Sequence, residues 1–235
     1  MNFIRKIFLM ILAFSVITSL SLTLTSCPSA PSTKSVEVIS ETTEEELTDK
    51  TTEEGVIFIA SRGGYYNLPN NYFDKEPPTA FYLKNRRDVS PDEIILGDEL
   101  SKYINNQLFY CLEEIEITNF EFTFDEPESH IDFERDNILV GLDMHTSIFF
   151  EDSSVTIDDY SVTIDNDLLL KSLEAAKLIS TDIELKGNLD LTSLFKIADE
   201  NDFDVFTNTY DTETFIFTLI AREDEQFIYN FVVDL

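Results

Sequence analysis

Few side chains in this sequence have a type and spacing that could do chemistry. The thiol of Cys27 is the first of them. It follows Leu24-Thr25-Ser26 at the end of an uncharged apolar run and precedes Pro28-Ser29-Ala30. A thiolate is a nucleophile, and the two residues before it, Thr25 and Ser26, are small. The second thiol, Cys111, falls on an apolar helical face, where a free Cys behaves as a small hydrophobe. A buried structural thiol is the favoured reading, with an intermolecular bridge as the alternative. His130 and His145 each lie in a strand-like run with no Cys or second His at ligand spacing, so they read as surface residues and no metal is assigned. The densest acid cluster, Asp199-Glu200-Asn201-Asp202-Phe203-Asp204, lacks the turn glycine common in calcium loops and reads as a helix end followed by a polar turn.

No catalytic residue is assigned. The chain has no Gly-x-Ser-x-Gly elbow, no His-Glu-x-x-His, no phosphate loop and no Gly-x-Gly-x-x-Gly. A pair of carboxylates could act as general acid and base. Among 46 acids, however, some pair always lies at a suitable distance, so the pairing carries little information. The binding candidates are Arg62, Tyr65, Tyr66 and Tyr72, because Tyr offers a large amphipathic contact area at low entropic cost. Arg86 and Arg87 follow the next strand and would flank that loop. The competing reading has the tyrosines close the edge of the core.

The residues before Cys27 have the layout of an export signal. Arg5 and Lys6 form a basic head, and Ile7 to Leu24 is apolar and uncharged. Leu24-Thr25-Ser26-Cys27 resembles the lipobox of prokaryotic lipoproteins. That resemblance implies cleavage before Cys27 and two acyl chains on the new N-terminus, enough for stable anchoring where one chain is marginal. The alternatives are an uncleaved membrane helix, near the lower length limit for a hydrocarbon core of about 30 Å, and plain secretion. Under the first two readings the folded part is tied to the membrane on its extracytoplasmic side. Residues 27–54 form a Ser-, Thr- and Glu-rich linker too poor in apolar residues to offset its ordering entropy.

Charge narrows the partners. Acids outnumber bases 46 to 16, for a net charge of −30. Such a chain repels nucleic-acid phosphates, so nucleic-acid binding is excluded. It also repels anionic headgroups, which leaves the anchor as the contact with the lipid bilayer. Divalent cations or a basic partner remain as alternatives to a plainly solvated surface. No cofactor is implied. Hydrophobic content of 43% with 20 Phe is sufficient for a core.

The elements that must position these groups begin at residue 55. "GVIFIAS" (Gly55–Ser61) reads as a buried strand ended by Gly63-Gly64, and "TAFYL" (Thr79–Leu83) as the next. Ser90-Pro91-Asp92-Glu93 opens a helix with Ser90 as cap and Glu93 closing a capping box. Leu100, Ile104, Leu108, Cys111 and Leu112 form its apolar stripe. The run Glu114–Phe124 shifts parity once, which predicts a bulge near Thr118 and Asn119. "SHIDFE", "NILVGLDM", "TSIFFE" and "SVTIDDYSVTI" alternate as strands with one dry and one wet face. Helices are predicted over Asp167–Ser180 and Asp190–Asn201, followed by three C-terminal strands. This order predicts one α+β domain over residues 55–235, with mostly antiparallel sheet and about three helices.

"EEGVIFIASRGGYY" and "LSKYINNQLFYCLE" together resemble segments of the ectodomain of an uncharacterised family of membrane-anchored proteins from small-genome archaea. The resemblance runs from Glu53 to Leu235 and implies location and fold but no reaction. Members of that family carry a plain membrane helix and an extra Cys-bearing segment, so the partner implied there for Cys111 is absent here. The expectation is a non-enzymatic binding or scaffolding domain for a protein or glycan of the cell envelope. Its alternatives are an extracytoplasmic hydrolase and a pilin-like structural component.

Overall fold

The computed structural model describes residues 52, 54–113, 121–134, 136–150 and 153–235. The apolar leader, Cys27, the linker up to residue 51 and the expected bulge at Thr118–Asn119 lie outside the described residues. Among the described residues the architecture is α+β, with four helices and two sheets in which all but one of the described pairings are antiparallel. In chain order the elements are α1 (54–61), β1 (Tyr72–Phe73), β2 (Thr79–Lys84), β3 (Arg87–Asp88) and α2 (Glu93–Glu113). Then come β4 (Glu121–Phe124), β5 (Glu128–Phe133), β6 (Ile138–Phe150), β7 (Ser153–Ile164), α3 (Leu168–Lys186) and α4 (Leu191–Glu200). The last three are β8 (Phe203–Thr209), β9 (Thr214–Ala221) and β10 (Ile228–Asp234). The chain gathers into two compact units. One holds Tyr103–His130 and Leu139–Ile164; the other holds Glu54–Lys102, Ile131–Ile138 and Asp165–Leu235.

In the second unit a six-stranded sheet runs β1-β2-β10-β9-β8, with β3 also paired to β2. β10 lies between β2, to which it is parallel, and β9, to which it is antiparallel. It is buried on both faces from Tyr229 to Val233. On one face Phe217 stacks on Phe231, their ring centroids 4.9 Å apart, and Tyr82 packs beside Phe231 at 5.1 Å. α3 packs on β2 and β10, and α4 packs on β8. Leu169, Leu173, Ile179 and Ile183 of α3 are buried at helical spacing, each contributing about 1.5–3 kcal/mol by leaving water. A four-stranded sheet of order β4-β6-β5 with β7 on β6 lies mostly in the other unit. Along β6, Ile138, Val140 and Leu142 point into the protein and alternate with more exposed residues, as expected for a sheet dry on one side.

Gly55–Ser61 is helical and does not form a strand. Val56, Ile59 and Ala60 are buried, whereas Ile57 and Phe58 are exposed. That is i, i+3, i+4 spacing, which a short β-branched run satisfies as readily as it satisfies alternation. This segment supplies the fourth helix. α1 ends in a Schellman motif: the Gly64 N–H donates to Ile59 O at 2.8 Å and the Gly63 N–H to Ala60 O at 3.2 Å. Gly63 and Gly64 have φ of 76° and 86°, a region that strains other residues.

Three further expectations are revised. The cap of α2 is Asp92, whose Oδ1 accepts the Ile95 N–H at 2.8 Å, while Ser90 turns back to Asp88. "NILVGLDM" and "TSIFFE" are one continuous strand, β6. α3 continues past Ser180, whose hydroxyl donates to Ala176 O within the helix, and it stops at Gly187 with φ 67°.

A Cβ built at Gly64 would stand 3.0 Å from both the Tyr229 hydroxyl and Leu96 Cδ1. Gly64→Ala is therefore expected to lower unfolding free energy by about 1–3 kcal/mol, from backbone strain and the clash together. Urea titration followed by circular dichroism checks this; a change below about 0.5 kcal/mol, the range of ordinary surface substitutions, would refute it.

Candidate functional site

An open concavity lies along α4 and the first half of β8. Asp190 caps α4: its Oδ1 accepts the N–H groups of Thr192 at 3.0 Å and Ser193 at 3.4 Å, and its Oδ2 accepts from Lys186 Nζ at 2.9 Å. Leu194 and Ala198, four residues apart, fix the buried face of the helix. Leu191 and Phe195 form a second stripe, also four residues apart, that stays exposed. The chain then turns through Asn201 and Asp202, with Asp202 at φ 60°, and enters β8. Phe203 is buried, Val205 half-buried, and Asp204 and Phe206 point outward.

Phe195 and Phe206, each 56% exposed, line a groove of about 610 Å³ together with Val205, Asp199, Asp204 and Arg222. Arg222 ties the groove together. Its Nη1 donates to Asp199 Oδ1 at 2.9 Å, and its Nε donates to Asp204 Oδ1 at 3.0 Å. The hydrogen bond to Asp199, then the one to Asp204, holds the guanidinium pKa above its ordinary value. One cation thus links the end of α4 to the start of β8. Chemically the groove offers aromatic faces, a strand edge and solvent-open carboxylates already engaged by a cation. These are groups suited to recognition.

The residues singled out in the Tyr loop are brought together only in part. Arg62 lies over the ring of Phe58, 5.0 Å from its centroid, and Phe58 meets Tyr66 at 6.0 Å. The Nε of Arg62 is buried without a hydrogen-bond partner. Tyr65 turns toward α2; burial, then Glu99, then Asp92 raise its pKa. Glu99 is only 6% exposed and holds the loop, accepting the Asn67 N–H at 2.7 Å and Lys102 Nζ at 2.5 Å. Tyr72 belongs to β1, opposite Ala80. Arg86 sits in the tight turn between β2 and β3, and Arg87 in β3. Below this loop the hydroxyls of Tyr82 and Tyr229 bond to each other in full burial, and burial raises both pKa values, that of Tyr82 well above normal.

The two histidines lie on the β5–β6 sheet. His130 Nε2 is 3.3 Å from Asp143 Oδ2, and His145 Nε2 is 3.5 Å from Ser147 Oγ. Among the described residues no three His, Cys, Asp or Glu side chains are grouped to hold a metal ion. Among the same residues no helix is long and apolar enough to cross a membrane. Asp199 and Asp204, noted only as part of an acid-rich turn, flank the groove, while Asp202 shapes the turn between them. Phe195, Phe206 and Arg222 were not anticipated. The available signal was the Val205-Phe206 pair, which breaks the alternation of β8 and puts an aromatic ring on an outward position.

Lys186, then the backbone N–H of Ser193, hold the Asp190 carboxyl below its ordinary value. Its ionic contribution is complete above the unfolded carboxylate value of about 3.9 and is lost as pH falls through the lower folded value. Asn caps helices as well as Asp does, so Asp190→Asn isolates that contribution. Its melting temperature should fall below that of the parent at pH 7, and the gap should close as pH drops below about 4. A gap independent of pH would show that the charge contributes nothing. Comparison of the chain with known protein families, curated proteins and solved structures finds no match.

Proposed function

We propose that the chain is a membrane-tethered extracytoplasmic lipoprotein whose folded part binds a protein or glycan of the cell envelope and performs no chemistry of its own. The observation that carries the binding reading is the groove between Phe195 and Phe206. Exposed aromatic rings around a concavity lose water on contact and anchor interfaces, and here they stand beside carboxylates occupied by Arg222. The tether reading rests on Leu24-Thr25-Ser26-Cys27 after an apolar run with a basic head. The resemblance to archaeal membrane-anchored ectodomains supports the same placement. The hydrolase alternative would need two carboxylates of opposed protonation around a substrate. Asp199 and Asp204 instead share one guanidinium.

Two measurements test the two halves. Intact mass of the native chain should show loss of residues 1–26 and a diacylglycerol adduct on Cys27; a free thiol with Met1 retained would remove the lipid anchor. A photo-crosslinking phenylalanine analogue at position 206, in native membranes, should give a discrete adduct with an envelope component. The same analogue at Leu185, an exposed site on α3, should not. Equal labelling from both positions would remove the groove as the binding site.

A further inference from the structure

We infer that the outer edge of β8 accepts an extended cationic polypeptide as an added strand, with its side chains seated in the Phe195–Phe206 groove. The inference rests on the binding reading and names the partner's chemistry and the mode of contact.

The two margins of the six-stranded sheet differ. On one side β1 and β3, two residues each, cover β2. On the other, β8 pairs with β9 through all seven residues, Phe203↔Ala221 to Thr209↔Phe215, without a break in register. Among the described residues no strand pairs with its far side. Protein edges are usually blunted by proline, lysine, a bulge or an inward charge. β8 has none of these: its sequence is FDVFTNT, and its single charge, Asp204, is held by Arg222. The groove is lined by Phe203 and Val205 from one face of β8 and by Asp204 and Phe206 from the other, with Phe195 and Asp199 from α4 opposite. A cavity touching both faces of a strand passes along its edge. An incoming strand rising about 3.3 Å per residue would there find main-chain donors and acceptors, and rings for its alternate side chains.

Charge selects the occupant. Asp199, Glu200, Asp202 and Asp204 lie around this end of β8, and Glu223, Asp224 and Glu225 follow Arg222, whose N–H donates to Asp202 O; these seven acids outnumber the two cations that line the groove, Arg222 and Lys196. A second copy of the chain would bring a net −30 against −30, and an anionic ligand would meet the same field. A strand with lysine or arginine at alternate positions meets carboxylates, and its cations can also lie over Phe195 or Phe206.

The test uses the full chain in nonionic detergent with three capped, labelled decapeptides followed by fluorescence anisotropy: alternating Lys-Val, Lys-Pro and Glu-Val. Lys-Val should bind, with Lys-Pro and Glu-Val each weaker by about tenfold or more, since proline removes ladder donors and glutamate inverts the charge. Phe206→Ala and, independently, Phe195→Ala should weaken Lys-Val binding about five- to tenfold, with unchanged circular dichroism. Leu185→Ala should bind like the parent. Lys-Pro binding as tightly as Lys-Val overturns strand addition, and Glu-Val binding equally overturns the charge selection. Sedimentation showing a dimer that Phe206→Ala dissociates assigns the edge to a second copy and overturns the inference. No Lys-Val binding alongside a position-206 crosslink in membranes overturns strand addition while the binding reading stands.

Discussion

The second unit is organised around a strand that must be apolar on both sides. β10 is the last element in sequence and lies between β2 and β9. Its central residues Tyr229 to Val233 are all buried, so no alternation of polar and apolar side chains is open to it. The one polar residue there, Asn230, is satisfied from both sides: Thr218 Oγ1 donates to its Oδ1 at 2.8 Å, and its Nδ2 donates to Ser61 O at 3.0 Å. The second bond fixes the end of α1 to the sheet. The close approach of Gly63 follows, since a Cβ there would stand 3.0 Å from Asn230 O. β1, β2 and β3 can join β8 and β9 only through this strand. The long-range pairing of β2 with β10 must therefore form before a common sheet exists, a costly loop closure that slows folding.

Against this apolar centre the surface is overwhelmingly acidic, and two of its cations, Lys186 and Arg222, join elements. Lys186 bridges Asp182 within α3 and Asp190 at the start of α4, and Arg222 bridges the end of α4 and the start of β8. Surface ion pairs contribute little stability individually. Their role here is geometric: they set where α4 stands relative to β8, and with it the width of the groove. The arginine that shapes the site also lowers the local concentration of negative charge, so that two exposed phenylalanines can lie among carboxylates without the whole end of the sheet being repelled by itself.

How far the fold is legible follows from the signals each segment carries. α3 and α4 announce themselves by helical spacing, and the three last strands by dense β-branched and aromatic runs. α1 does not: the five residues Val56–Ala60, all Val, Ile, Phe or Ala, fit a strand and a helix alike, and only the burial of Val56, Ile59 and Ala60 together decides. Ser90 and Asp92 are equally good caps by type, and the choice depends on Asp88, which captures Ser90. β6 looked like two strands because the polar outward residues Asp143 and His145 resemble a turn. The groove was less legible than the fold. Phe195, Phe206 and Arg222 come from three elements, and nothing in their local spacing reports that the α4–β8 turn and the β9 end converge. The tyrosines were visible as a cluster, but Glu99, 32 residues after Asn67, determines how their loop lies.

The paired phenols of Tyr82 and Tyr229 have an optical consequence. With no Trp in the chain, near-ultraviolet absorbance and emission belong to tyrosine, and energy transfer to indole cannot drain them. Two of the nine tyrosines are sealed in the core with their ionisation suppressed, so hydroxide reaches them only when the sheet opens. In alkaline solution the appearance of their phenolate band would mark loss of structure. The molecule thus carries an intrinsic chromophore for the integrity of its own centre.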